Sequence, residues 1–446
     1  MVNAEAPETA PIRPTGINRD SMWSLMEELF PRYRALCGPG FKDSLERIGQ
    51  RISLTVDEFP SGEEVLGWRI PKEFVPKAAW VEDSQGRRVF DFEHESYHML
   101  LYGQPFDGEV SLAELLEHIE THSHLEGAVP LRQTYYRDRW GLCASKKQVA
   151  DLKPGKYRVH IDTALTDGHL RIGECYLPGE SDQEVLINTY LCHPKGANDN
   201  LSSVVVAVEV FRMLAALPRR RYSYRLALWP ESIGAITYIA KHGDRLAKTI
   251  GGYSLMMVGD AAPVAFTGTY RGNSLFDRAA RHALRHNGWP DAPLPYSRWK
   301  GGSDAMHFDS AGMRMPFCTW QRGGPELSVY PAYHSSDDDL TLVRPENLFE
   351  TLCVVWDALM AVERANTYQA NYTVDPFLTK HGIFPFQHGA GDGKHGNDVA
   401  RAYFELMGAL DGTQDLLAIA DHYGMPVHLF DEPVQKLLEK GLIKRK

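Results

Sequence analysis

The stretch from Cys192 to Ser203, CHPKGANDNLSS, puts an imidazole, His193, and a carboxylate, Asp199, on one short loop. An apolar run, Val185 to Leu191, precedes it, and a run of small and β-branched residues, Ser203 to Phe211, follows. That order reads as strand, loop, helix. Imidazole and carboxylate are the ordinary nitrogen and oxygen ligands of a catalytic zinc. The carboxyl edge of an open α/β sheet is where such sites are built. The chemistry implied is metal-dependent hydrolysis. One His and one Asp on a loop are also common in ordinary polar turns, so the reading requires partners further along the chain.

Four later segments supply them. Glu231 follows the apolar run Leu226–Trp229, and Asp260 follows Leu255–Val258, so both acids are predicted at strand ends. Asp304 lies in Gly301–Phe308 (GGSDAMHF), and His334 lies in Tyr333–Leu340 (YHSSDDDL). Tyr330 and Tyr333 flank His334 and are candidates for substrate contact. Tyr135, Tyr136, Arg137 and Trp140 are candidates for the cleft wall, with packing between modules as the alternative.

These residues need a scaffold. From Val185 onward, apolar strands alternate with helices: Val204–Ala216, Ala235–Ala247, Ser274–His286 and Pro345–Arg364 are predicted helices, Ser223–Trp229 and Tyr253–Val258 predicted strands. That alternation predicts an α/β sandwich with a mixed, largely parallel central sheet. Two helices are predicted near the start, Ser21–Leu36 interrupted at Pro31, then Phe41–Ile52. Between about Ser61 and Ala150 the texture changes to short apolar pieces broken by Gly, Pro and Asp, a β-rich module with one helix near Ser111–His122. Pro376–Asn397, rich in Gly, His and Pro, reads as a linker rather than a histidine metal site. The expected domains are therefore 19–60 with 151–375, an inserted 61–150, a linker over 376–397, and 398–446. Residues 1–18 read as a disordered lead.

The chain has 446 residues, room for two or three domains, with 43% hydrophobic and 24% charged residues. A formal net charge of −10 argues against coating nucleic acid. Six widely spaced cysteines without a CxxC pair argue against a zinc knuckle or disulfide framework and fit reduced thiols in the cytosol. No secretory signal or membrane-spanning run is present in the sequence.

In this order the motifs resemble the co-catalytic zinc aminopeptidase family over roughly residues 155–365. Its loop pattern Gly-Ala-Asn/Asp-Asp-Asn/Asp-x-Ser is here Gly196–Ser202, its Tyr-His-Ser/Thr-x-x-Asp is Tyr333–Asp338, and its Gly-Ser-Asp-x-x-x-Phe is Gly302–Phe308. From about Met22 to Leu442 the chain is also similar to a group of bacterial aminopeptidase-like proteins with an inserted β-rich module and a C-terminal winged helix. Thr134–Cys143 (TYYRDRWGLC), Cys192–Ser202 and Pro230–Gly234 (PESIG) carry that resemblance. It implies a zinc-aminopeptidase-like α/β/α sandwich. It implies that His193 and His334 each bind a zinc, that Asp199 bridges, that Glu231 and Asp260 complete the spheres, and that Asp304 supports the site or contacts substrate.

Three positions depart from the family pattern. His193-Pro194-Lys195 stands for His-x-Asp, Glu231-Ser232 for Glu-Glu, and Asp260 follows Gly259 rather than preceding it. One or two metals, and Glu231 as base or as ligand, are both open at this point. The expected activity is removal of an N-terminal aminoacyl group from a small peptide or aminoacylated metabolite in a biosynthetic pathway. The alternatives are a binding or regulatory protein on the same fold, or a one-zinc acyltransferase or cyclase. The expected partner is that small substrate, with neither membrane nor nucleic acid, and with a homo-oligomer as a further possibility.

Overall fold

A computed structural model describes residues 19–294, 296–297, 303–323, 330–383 and 395–446. The N-terminal lead, Gly301 and Gly302 beside Ser303, and residues 384–394 of the expected linker, His388 included, lie outside the described residues.

The central sheet has seven strands, in the order Thr55–Pro60, His169–Leu177, Ser223–Trp229, Glu184–Tyr190, Thr249–Leu255, Phe317–Arg322 and Val264–Thr267. The middle four run parallel, and the edges are antiparallel. Glu184–Tyr190 is buried at every position, as a central parallel strand covered on both faces requires. The helix Ser203–Ala216 is apolar nearly all round and correspondingly buried. Arg19–Leu29 ends before Pro31, and Pro39–Ile48 starts on a proline whose fixed φ suits a first turn. The fold is a mixed α/β sheet, parallel at its centre, with helices between its strands.

Between strands Thr55–Pro60 and His169–Leu177 the chain builds a second, four-stranded antiparallel sheet, in the order Arg88–Asp91, Glu73–Glu82, Lys156–Thr166 and Phe106–Ser111. Its longest strand, Lys156–Thr166, lies beyond the expected boundary at residue 150. The reason is its pairing, since it lies in register between Glu73–Glu82 and Phe106–Ser111. The module's helix is shorter than expected, Leu112–Glu117 capped by Ser111.

The chain divides into two compact units, one of Pro14–Tyr270 with Pro293–Leu352, the other including Arg271–Ala292 with Cys353–Lys446. Within the second unit, Arg278 pairs with Asp415 and His282 with Asp421. Strand Thr367–Ala370 pairs with Asp411–Asp415 and Ile443–Arg445. The C-terminal segment thus draws helix Leu275–His286 and the end of helix Pro345–Arg364 into its own core. No disulfide joins the six cysteines, all buried. Among the described residues no helix is long and apolar enough to cross a membrane.

Candidate functional site

Strand Glu184–Tyr190 ends where the chain turns and places the buried His193. Gly196 is required at that turn, because a Cβ there would stand 1.7 Å from the Asp199 carbonyl oxygen. Asp199 follows, joined to Asn200 by a cis peptide. Tyr190 donates its hydroxyl proton to Asp199 Oδ1 at 2.5 Å, which turns Oδ2 the other way. Oδ2 is buried and receives no hydrogen bond. It lies 3.1 Å from His334 Nε2 and 3.7 Å from His193 Nε2, and the two imidazole nitrogens are 3.2 Å apart. Two ring nitrogens and an orphaned carboxylate oxygen, all within 4.8 Å, are a donor set that fits one divalent cation. A buried anionic oxygen without a donor is costly unless a cation satisfies it. Burial pushes the His193 imidazole down to about 4, toward the neutral form a metal binds. Burial works to raise the Asp199 carboxyl, yet the two histidines and Tyr190 hold it at about 2.

The other expected site residues take different places. Glu231 is outside the three-residue group: its Oε2 is 4.0 Å from His193 Nε2, and its Oε1 accepts from the Ser303 hydroxyl at 3.0 Å. Burial, with Asp199 and Asp304 nearby, raises its carboxyl to about 8. Asp260, expected as a ligand, is also outside the group. Its Oδ2 accepts from Asn198 Nδ2 at 3.2 Å and its Oδ1 from the Ala262 N–H at 2.8 Å, so it fastens a loop. Asp304, expected among the catalytic groups, is fully buried. It accepts from Trp229 Nε1 at 2.7 Å, Asn188 Nδ2 at 3.2 Å and the Ser232 N–H at 2.8 Å. Burial raises it to about 6. It holds the turn after Glu231, where Ser232 adopts φ 61°.

Tyr333 stacks on His334, ring centroids 3.8 Å apart, and Tyr330 donates to Asp338 Oδ2 at 2.6 Å. Tyr135 stands by the acids, its phenol pushed up by burial and by the charges of Cys192 and Glu231. Tyr136 is exposed and donates to the Arg69 carbonyl, and Arg137 is exposed. Trp140 packs the module, stacked between Phe106 and His118.

Two residues do work that sequence reading left unassigned. Asp338 accepts from the N–H groups of Asn198 and Asp199 at 2.7 and 2.9 Å, so it ties the His334 loop to the Asp199 loop. Its place in the Tyr-His-Ser-Ser-Asp-Asp motif was the available signal. Cys192 Sγ lies 3.6 Å from His193 Nδ1 and accepts from the Glu231 N–H at 3.3 Å, on the side of the ring an orienting partner would occupy.

A Clostridium acetobutylicum protein named "Putative polysaccharide biosynthesis protein with aminopeptidase-like domain" is 31% identical over 424 residues, 95% of this chain and 96% of that one. The crystal structure of a "putative peptidase" from Clostridium acetobutylicum superposes with a TM-score of 0.87 at 29% identity, covering 96% of each chain. The zinc aminopeptidase BSAP of Bacillus subtilis shares the fold, with a TM-score of 0.56 at 15% identity over 78% of this chain and 95% of that one. Residues 23–365 match a single family model, and the chain belongs to the family described as "Domain of unknown function (DUF4910)".

Proposed function

We propose that the protein is a one-zinc amide hydrolase of the aminopeptidase type, with His193, Asp199 and His334 as ligands and Glu231 as the proton carrier. The observation that carries this is the convergence of His193 Nε2, His334 Nε2 and Asp199 Oδ2 around a buried oxygen with no hydrogen-bond donor. Three protein ligands with an open fourth position are the arrangement of catalytic zinc sites. Zinc bound there would polarise a substrate carbonyl and lower the pKa of a water. Glu231 Oε2 comes within 4.0 Å of His193 Nε2 but stands outside the group of three, which favours a proton-transfer role over ligation. It takes a proton from the attacking water and hands it to the leaving nitrogen. The Ser303 hydroxyl, donating to Oε1, fixes the carboxyl's direction and leaves Oε2 for the proton. Tyr333 keeps the His334 ring in plane by stacking. A substrate with an N-terminal aminoacyl group is the class that this site type and the similar fold support. The relative's name supports a place in polysaccharide biosynthesis.

The C-terminal order of helix, strand, helix, helix, strand over His395–Arg445 supports a winged-helix reading, used for protein contacts given its acidic composition.

The test is metal analysis of purified protein together with a panel of aminoacyl amides. About one zinc per chain is expected, with His334→Ala losing it and Glu231→Gln keeping it while losing turnover. A wild-type chain that takes up no zinc at micromolar concentration overturns the reading. Zinc binding without turnover of any amide would leave a metal-binding protein and overturn the hydrolase.

A further inference from the structure

The two imidazoles sit on loops separated by about 140 residues. Asp338 ties the two loops to each other, and the segment between strands Thr55–Pro60 and His169–Leu177 holds each loop from a further side. Tyr97, Leu100, Val129 and Cys143 form one buried cluster in that segment, with Leu131 packed against it. Two arms leave the cluster. Tyr97, 3% exposed, donates its hydroxyl proton to the carbonyl of Pro194, the residue after His193. The other arm is backbone. The Leu131 N–H donates to the His334 carbonyl at 2.8 Å, and the Ser336 N–H donates to the Val129 carbonyl at 2.8 Å. The Val129 N–H donates to Ser336 Oγ at 3.0 Å, and Pro130 bridges Ser335 antiparallel. His334 itself sits at φ 54°, in the left-handed region that few non-glycine residues occupy.

We propose that this inserted module is a positioning element for the metal site: Tyr97 and Val129–Leu131, rooted in one apolar cluster, hold the two histidine-bearing loops at ligand separation. The inference rests on the metal reading above. The module acts through His193 and His334 and touches no reacting atom, so Tyr97 and Ser336 are positioning residues. Partners that orient metal ligands in this way are worth roughly ten- to a hundredfold in metal affinity.

The experiment uses the full chain and three variants. Tyr97→Phe removes one arm's hydroxyl, and Ser336→Ala removes one acceptor of the other arm. Tyr157→Phe is the control: Tyr157 is equally buried in the same module, but its hydroxyl bonds the backbone of Lys153, away from both histidine loops. Zn²⁺ affinity is read by competition with a chromophoric chelator, site geometry by the visible absorption of the Co²⁺ form, and integrity by thermal unfolding of the metal-free chains. Tyr97→Phe and Ser336→Ala are expected to bind Zn²⁺ roughly ten- to a hundredfold more weakly, with altered Co²⁺ bands. Their metal-free unfolding temperatures are expected within about 4 °C of wild type, and Tyr157→Phe is expected to bind as wild type. Wild-type affinity in both arm variants overturns the proposal, as does equal weakening in Tyr157→Phe. Should one arm variant fail to fold, the other decides. A wild-type chain that binds no Zn²⁺ is a different result, because it removes the metal reading itself.

Discussion

Asp304 shows how a side chain can matter to chemistry without taking part in it. A carboxylate accepting three hydrogen bonds in a fully buried position has no face left for substrate. Its work is to fix the Ser232 N–H, and with it the strained turn that aims Glu231. Asp304→Asn keeps the shape but turns one acceptor into a donor against three donors. The expected cost is about 1–3 kcal/mol of stability, read from the denaturant midpoint, with kcat falling and bound metal retained. Unchanged kcat would separate Asp304 from Glu231. The sequence made Asp304 visible as an acid in a motif, and strand ends made Glu231 and Asp260 visible in the same way. It could not show that Asn198 occupies one oxygen of Asp260, since that contact depends on how two loops fold back on each other. His193 and His334 were legible because their flanking residues form dense motifs. Asp338 was quoted with its motif, but its role emerges only from the backbone N–H groups it receives.

At the level of strands and helices, the elements that run through the core were readable from periodicity: Ser223–Trp229 and Pro345–Arg364 fall where their apolar patterns place them. The partner of Lys156–Thr166 was not readable, because an alternating strand fits either sheet and only the register with Glu73–Glu82 decides. The parallel centre is pinned at its far end by charge. Arg225 donates to both oxygens of Glu184, at 3.0 and 2.9 Å, with both side chains largely buried. Glu184 opens the strand whose other end leads to His193, so the pair stands at the edge opposite the metal ligands. Glu184→Ala leaves Arg225 the longer 3.5 Å contact to Glu174 and is expected to cost about 2 kcal/mol, while Zn²⁺ affinity stays at the wild-type value. A loss of metal affinity equal to that of the positioning variants would show that the two edges are coupled.

For the whole chain, a cation that binds the folded form alone must raise its stability by mass action. Zn²⁺ at a hundredfold its dissociation constant adds about 2.7 kcal/mol, and a chelator removes it. Calorimetry with and without chelator is expected to show that shift reversibly, and identical melting curves would mean that no ion is held by the native state.

The hydrogen bonds from Val129–Leu131 to the His334 loop have a consequence for how such a molecule diversifies. Substitutions that tune turnover need not crowd around the cleft. A library selected for activity would collect hits in the apolar cluster around Tyr97 and Val129, at positions that never meet a ligand. A graft of the central sheet alone onto another protein would carry the recognisable motifs and yet arrive with its histidines unclasped.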